Sequence, residues 1–265
     1  MLLLENGEKG IARFRVIVRG QAGHASVPLR NGNAVLAAAR VIEALAGHEL
    51  PLVFDGASEA LVAQLVSDAG LRVRLRDART ARGALEELAG ADAIVADLLE
   101  PLHGFAFSPT MVSGNSRALN VFSSRVEVGV DCRTLPGQDT GQVEAEVHKA
   151  LDGIDADWTL EWLHVVPGNA SPYPTPLSEA VGAVLGRLAP GVEAIRSFGV
   201  GFTDSNWFRE AFPEVVAYNF LPHVVEDYED VTLRYHNKDE RIDIRDLAFQ
   251  ALFAEQLALE LLRES

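Results

Sequence analysis

Gly20-Gln21-Ala22-Gly23-His24-Ala25-Ser26-Val27-Pro28 joins a strand to a helix and sets a histidine between them. Ahead of it, Phe14, Val16 and Val18 alternate with Arg13, Arg15 and Arg19, the period-two pattern of a half-buried strand. After it, Asn33 can cap a helix whose apolar residues Val35, Ala38, Ile42 and Leu45 fall at helical spacing. The glycines allow backbone shapes closed to other residues and let a ligand approach. His24 therefore stands where chemistry is commonly done. On these residues alone it reads more simply as a surface loop histidine bonded to a neighbouring carbonyl.

The same strand and helix signals recur downstream. Val126, Val128, Val130 and Cys132 alternate with Glu127, Gly129, Asp131 and Arg133 over Arg125–Arg133, predicting a strand with Cys132 buried and inert. Asp139 or Thr140 can cap a helix that carries Val143, Val147, Ala150 and Leu151 inward and stops at Gly153, and Trp158–Val165 reads as another strand. With a strand from about Ser108, the order strand, helix, strand, strand, helix, strand predicts a ferredoxin-like sheet with its helices on one face. The stretch from about 50 to 104 reads as an insertion in it. Within that insertion Leu50–Phe54 and Leu71–Leu75 are expected as strands, Ser58–Asp68 as a helix, and Ala81–Leu99 as one or two helices broken near Gly90.

Four prolines fall between Pro167 and Pro176, which marks a domain boundary. Beyond it the pattern predicts a helix through Leu177, Val181, Val184 and Leu188, a strand over Val192–Phe198, a loop Gly199–Asp204, a helix to Phe212, a strand over Val215–Phe220 and a final helix over Asp243–Leu262. Alternating strands and helices imply a doubly wound parallel sheet. Two strands are too few for a stable open sheet, and the last helix is apolar on both sides. The second domain reads as half a domain.

The chain has 265 residues, room for two modest cores at roughly 100 to 200 residues each. Its 38 acidic residues outweigh 23 basic ones, a net charge of -15 that disfavours nucleic-acid and anionic-membrane partners. Cys132, the single cysteine, leaves no intramolecular disulfide and no cysteine-rich metal site. No signal peptide is legible before Glu5 and no apolar run approaches the roughly 18 residues of a membrane span, so a cytoplasmic protein is expected.

Four motifs stand in one order: Gly23-His24-Ala25-Ser26-x-Pro28; Asn120-Val121 followed by Asp131-x-Arg133-x-x-Pro136-Gly137; Gly201-x-Thr203-Asp204; and Tyr235-His236-x-x-Asp239-Glu240-Arg241. Together they resemble the M20 family of zinc aminoacylases and exopeptidases, over residues 10 to 245. The resemblance implies an α/β chain: a ferredoxin-like lid and dimerisation domain at 10–165 with a helical insertion, then the C-terminal half of a doubly wound zinc-hydrolase domain at 175–265. It implies that His24 reaches across a homodimer to the oxyanion, that Arg133 receives a substrate carboxylate, that Asn120, Gly201 and Thr203 hold substrate, and that His236 binds one of two zinc ions. The implied substrate is a small peptide or an N-acyl amino acid, as in the carboxypeptidase, dipeptidase and deacylase members.

Each residue has a plainer reading. Arg133 can pair with Glu127 or Asp131, Asp204 can cap the next helix, and His236 can be a loop histidine in a charged surface. The chain also departs from the family. A two-zinc site needs about five His, Asp and Glu ligands and a carboxylate base. No H-x-D occurs, and Glu86-Glu87, the only adjacent glutamates, follow the lid histidine and read as a solvated helix face. Two readings follow: a hydrolase whose remaining ligands come from outside this chain, inactive alone, or a non-catalytic dimerising remnant.

Overall fold

A computed structural model describes residues 2–27, 31–54, 56–227, 230–231 and 234–263. In chain order the elements are β1 (Leu2–Glu8), β2 (Gly10–Arg19), β3 (Gly23–His24), α1 (Ala34–Ala46), α2 (Gly56–Leu65), α3 (Ala69–Leu75), α4 (Ala81–Ala91) and α5 (Ala93–Leu99). There follow β4 (Ala106–Gly114), β5 (Val121–Phe122), β6 (Arg125–Thr134), α6 (Thr140–Ala150), β7 (Asp157–Val166), β8 (Asn169–Ala170), α7 (Pro176–Leu188), β9 (Ala194–Gly199), α8 (Ser205–Ala211) and α9 (Ile244–Leu261). The chain divides into two compact units.

One unit holds Lys9–Val53 and His103–Asn169. Its sheet runs β4-β6-β2-β7, antiparallel throughout, with α1 and α6 in the two crossovers. That is the ferredoxin-like topology the alternation predicts. Phe14, Val16 and Val18 from β2 and Val126, Val128, Val130 and Cys132 from β6 meet Ala38, Val41 and Leu45 of α1 and Val143 and Val147 of α6 in one core. Asn33 Oδ1 accepts the N–H of Val35 and Leu36 at 3.0 and 3.3 Å, which starts α1 where expected. Val35, expected inside, faces out, and Ala34, Ala37 and Val41 take the inner stripe instead. Asp139 and Gln142 form the capping box of α6.

The other unit takes the residues up to Glu8, Phe54–Leu102 and the chain from Ala170 onward. The stretch read as an insertion thus packs mostly here, with α2 against β9. Leu71–Leu75, expected as a strand, is the helix α3. Leu71 and Leu75 are both buried while Val73 is exposed, and an i, i+4 pair satisfies period two and period 3.6 alike. Asp68 settles the matter locally by accepting the Leu71 N–H at 2.6 Å. Leu50–Phe54 forms no strand. The break in the 81–99 helix comes at Asp92, whose side chain caps α5, and Glu86 and Glu87 are solvated as expected.

This unit's three-stranded sheet runs β8-β1-β9, with β1 parallel to β9 in the middle. Sequence patterning gives no hint of β1, because Asn6 and Glu8 are polar and yet fully buried. Asn6 donates to the Ser171 carbonyl at 2.7 Å and accepts from Arg196 Nε at 3.0 Å. Val215–Phe220 does not form the expected strand. Ala217 N–H donates to Ser171 Oγ, Arg209 donates to its carbonyl, and only Asn219 bridges to Glu5. Side chains there do the work of a ladder.

Helix α9, begun by Asp243, packs Phe253 and Leu257 into a core with Leu2, Leu4, Val181, Val184 and Leu185. Its other side leaves Ile244, Leu247, Leu252 and Leu259 exposed. The apolar second face expected from the sequence is there, without cover in this unit. No helix among the described residues is long and apolar enough to cross a membrane.

Candidate functional site

In the ferredoxin-like unit, β3 and β5 form a two-stranded ribbon that sets His24 opposite Val121, and the Ala25 N–H donates to the Asn120 carbonyl at 2.9 Å. His24 and Asn120 are thereby brought together. A side chain at Gly20, where the chain leaves β2, would meet the Gly32 carbonyl at 2.3 Å, so the turn that presents His24 requires glycine. His24 is exposed. Its Nδ1 accepts the Ser26 N–H at 3.2 Å and lies 2.7 Å from Ser26 Oγ. A nitrogen that accepts from a backbone donor carries no proton, so the neutral ring is protonated at Nε2. Pro28, the last residue of this motif, lies outside the described residues.

Arg133 sits at the opposite end of β6, in register with Ile11, whereas Arg125 faces Arg19 at the end near His24. Eight residues of strand separate Arg125 from Arg133, about 27 Å. Arg133 Nε donates to Asp131 Oδ1 at 2.5 Å, and Arg13 donates to Oδ2 of the same carboxylate at 2.8 Å. Burial works against ionisation of Asp131, yet the hydrogen bonds from Arg133 and Arg13 hold its carboxyl below the ordinary range. The plainer pairing of Arg133 with Asp131 is the one observed.

The second unit has a cleft of about 880 Å³ bordered by Glu5, Thr203, Asn219, His223, Glu226 and Tyr235. Thr203 donates its N–H to Glu8 Oε2 at 2.8 Å, and its Oγ1 caps the Ser205 N–H at 3.2 Å. Asp204 occupies the N-cap position of α8 without a capping bond. Gly201 is exposed, with no atom within 4 Å of where a Cβ would stand. Glu8 is fully buried and ion-paired with Arg209 at 2.8 Å. The loop's amide thus already points at a carboxylate of its own chain.

Sequence patterning missed Glu5. It follows the apolar positions Leu2 and Leu4 on β1 and faces the cleft. Burial, with the Glu8 carboxylate adding to it, pushes its carboxyl up to about 7 against the hydrogen bond from Asn219. The Tyr235 hydroxyl is pushed up as well, by burial first and then by the charges of Glu5 and Glu240. Glu5 and Tyr235 border the same cleft, and His236 follows Tyr235 in the chain. His236 is exposed and holds a left-handed φ of 57°, uncommon outside glycine. A carboxylate within a strand, three residues ahead of a second one at its end, is the signal that could have found Glu5.

Glu5 carries a pH dependence. A folded-state pKa raised above the unfolded value stabilises fully below about 4.5, and that contribution is lost as pH rises through about 7. Glu5→Gln should therefore match the native chain near pH 4.5 and exceed its stability at pH 8 by on the order of 2 kcal/mol in urea unfolding. An equal difference at both values would show that Glu5 titrates normally.

The profile of the M20 peptidase dimerisation domain matches residues 6–159. The succinyl-diaminopimelate desuccinylase of Nitrosospira multiformis is 26% identical over 126 residues, 46% of this chain and 32% of that protein. Among solved structures, the dipeptidase Dug1p of Saccharomyces cerevisiae superposes with a TM-score of 0.64 at 15% identity, over 99% of this chain and 57% of Dug1p. The M20 family metallo-carboxypeptidase Sso-CP2 of Sulfolobus solfataricus gives 0.62 at 14%, over 98% and 60%. The chain thus spans about a third of the desuccinylase and little more than half of the two solved structures.

Proposed function

The chain belongs to the M20 peptidase dimerisation-domain family, and from that membership we propose that it carries the lid and part of the catalytic unit of a metal-dependent hydrolase. The bond cleaved is an amide or peptide bond next to a free carboxylate, in an N-acyl amino acid, dipeptide or small peptide. The metal is zinc. Support comes from the donors present: burial first, and then the Glu8 carboxylate, push the Glu5 carboxyl up to about 7, and a cation beside it would offset both. His236 would be one ligand, with Glu5 at the cleft that Tyr235 also borders, and an imidazole and a carboxylate are part of the set a two-metal site needs. Zinc bound there would supply a polarised carbonyl and an activated water.

This chain's own residues do the positioning. Arg133 exchanges Asp131 for the substrate carboxylate and grips it as a fork. The Nε2–H of His24 donates to the developing oxyanion, Asn120 and the Gly201–Thr203 loop hold the substrate, and the remaining ligands and the base come from outside residues 1–265.

The observation that supports this reading most is the roughly 27 Å of β6 between Arg133 and the His24 end. Within one chain the two cannot serve one substrate, whereas in a symmetric dimer the histidine of one copy can serve the arginine of the other. In the completed enzyme, His24→Ala should lower kcat by about 10²–10³, and Arg133→Met should raise KM for carboxylate substrates. At substrate concentrations far below the KM of Arg133→Met, where each variant alone turns over little, mixing the two should restore about a quarter of native activity, since half the dimers regain one intact site. A mixture as inactive as its parents would show that both groups act within one subunit or not at all.

A further inference from the structure

We propose that His223, Glu226 and Asp246 form a zinc site that uses neither Glu5 nor His236 as a ligand and fastens the 223–226 loop to the first turn of α9. One ligand atom from each of the three lies within 4.8 Å of the others. His223 Nδ1 stands 3.4 Å from Asp246 Oδ2. That is long for an N–H···O bond, commonly about 2.7–3.2 Å. It matches the spacing of two ligand atoms each about 2.1 Å from a tetrahedral zinc, about 3.4 Å.

Asp246 has a plain structural task. Its side chain is fully buried, Oδ1 accepts the N–H of Val224 and Val225 at 2.7 and 2.9 Å, and Oδ2 accepts that of Glu226 at 3.0 Å. Such a clasp accounts for Asp246 and leaves His223 unexplained. With its side chain only 11% exposed, His223 has one ring nitrogen at that long distance, and its Nε2 is buried with no hydrogen-bond partner. Imidazole buried in this way costs free energy unless something binds it. Nδ1, the nitrogen beside Asp246, is the ligand atom, and its coordination accounts for the long Nδ1–Oδ2 distance. Glu226 Oε2 accepts the Asp243 N–H at 2.8 Å and Oε1 accepts from Arg234 at 2.5 Å, so the carboxylate is held beside the other two. Two carboxylates against the one guanidinium that touches them leave a net negative charge. One imidazole, two carboxylate oxygens and a water complete four-coordination in a donor set suited to zinc.

The test is a cobalt(II) titration of the whole chain, followed by visible absorption and by the shift in Tm. The expected result is one ion per chain and a rise in Tm, both retained in His236→Ala and Glu5→Gln, with affinity about tenfold or more weaker in His223→Gln and in Glu226→Gln. Either of the latter two variants suffices if the other fails to fold. Binding that survives both, binding lost with His236, or no binding below millimolar cobalt would overturn the proposal. Loss with His236 alone would leave the hydrolase reading intact, so the two ideas fail separately.

Discussion

Arg209→Met is expected to lower the stability of its unit by about 3–5 kcal/mol in urea unfolding. Arg209 and Glu8 are 3% and 0% exposed and pair at 2.8 Å. Arg209 also donates to the Ala217 carbonyl at 2.7 Å, and Glu8 receives the Thr203 N–H. Removing the guanidinium leaves a carboxylate at the end of β1 with no counter-charge and no water, and that uncompensated charge is the larger part of the cost. Burial already lowers the pKa of Arg209 despite Glu8, the mark of an ion held in a poorly solvating place. The double variant Glu8→Gln with Arg209→Met should recover much of the loss, because two neutral groups need no pairing. A loss below about 1 kcal/mol for Arg209→Met would show that Glu8 reaches solvent or takes up a proton easily. Trp207, two residues away on α8, reports on this unit.

Phe14→Ala should cost about 3–5 kcal/mol in the ferredoxin-like unit. Phe14 is fully buried at the centre of β2 and meets Phe107 and Trp162 edge to face, with ring centroids 5.8 and 5.7 Å apart. Truncation removes both contacts and leaves a cavity that the flanking β4 and β7 cannot close without breaking their ladders to β6 and β2. Phe14→Leu, which keeps most of the volume, should cost less than about 1.5 kcal/mol. The fluorescence of Trp158 and Trp162 on β7 follows this unit, and a transition monitored there that is unchanged in Phe14→Ala would contradict the assigned core.

The elements legible in the sequence are those whose partners announce themselves through period. Val126–Cys132 and Phe14–Val18 alternate because one face is core and the other is water. Leu71 and Leu75 mislead because four residues apart suits a helix and a strand equally. β1 is illegible because Asn6 and Glu8 are buried against Ser171 and Arg209, partners 165 and 201 residues away that no local pattern reveals. The site divides in the same way. His24, Asn120, Arg133, Thr203 and His236 are proposed as site residues from a motif order. The pairing of Arg133 with Asp131 is legible as an alternative; what the sequence hides is geometry, with His24 at the far end of β6 and the Glu5 carboxyl raised to about 7.

Helix α9 leaves an apolar face open and β1 sits in a sheet of three strands, so the account requires the metal cage to be completed from outside these residues. Amine release from N-acyl amino acids and dipeptides in zinc-containing buffer tests this most directly, for residues 1–265 alone and for the same chain joined by a polypeptide bearing the H-x-D and Glu-Glu ligands. The expected result is no release by the chain alone and turnover by the joined protein. Steady turnover by residues 1–265 alone would contradict it.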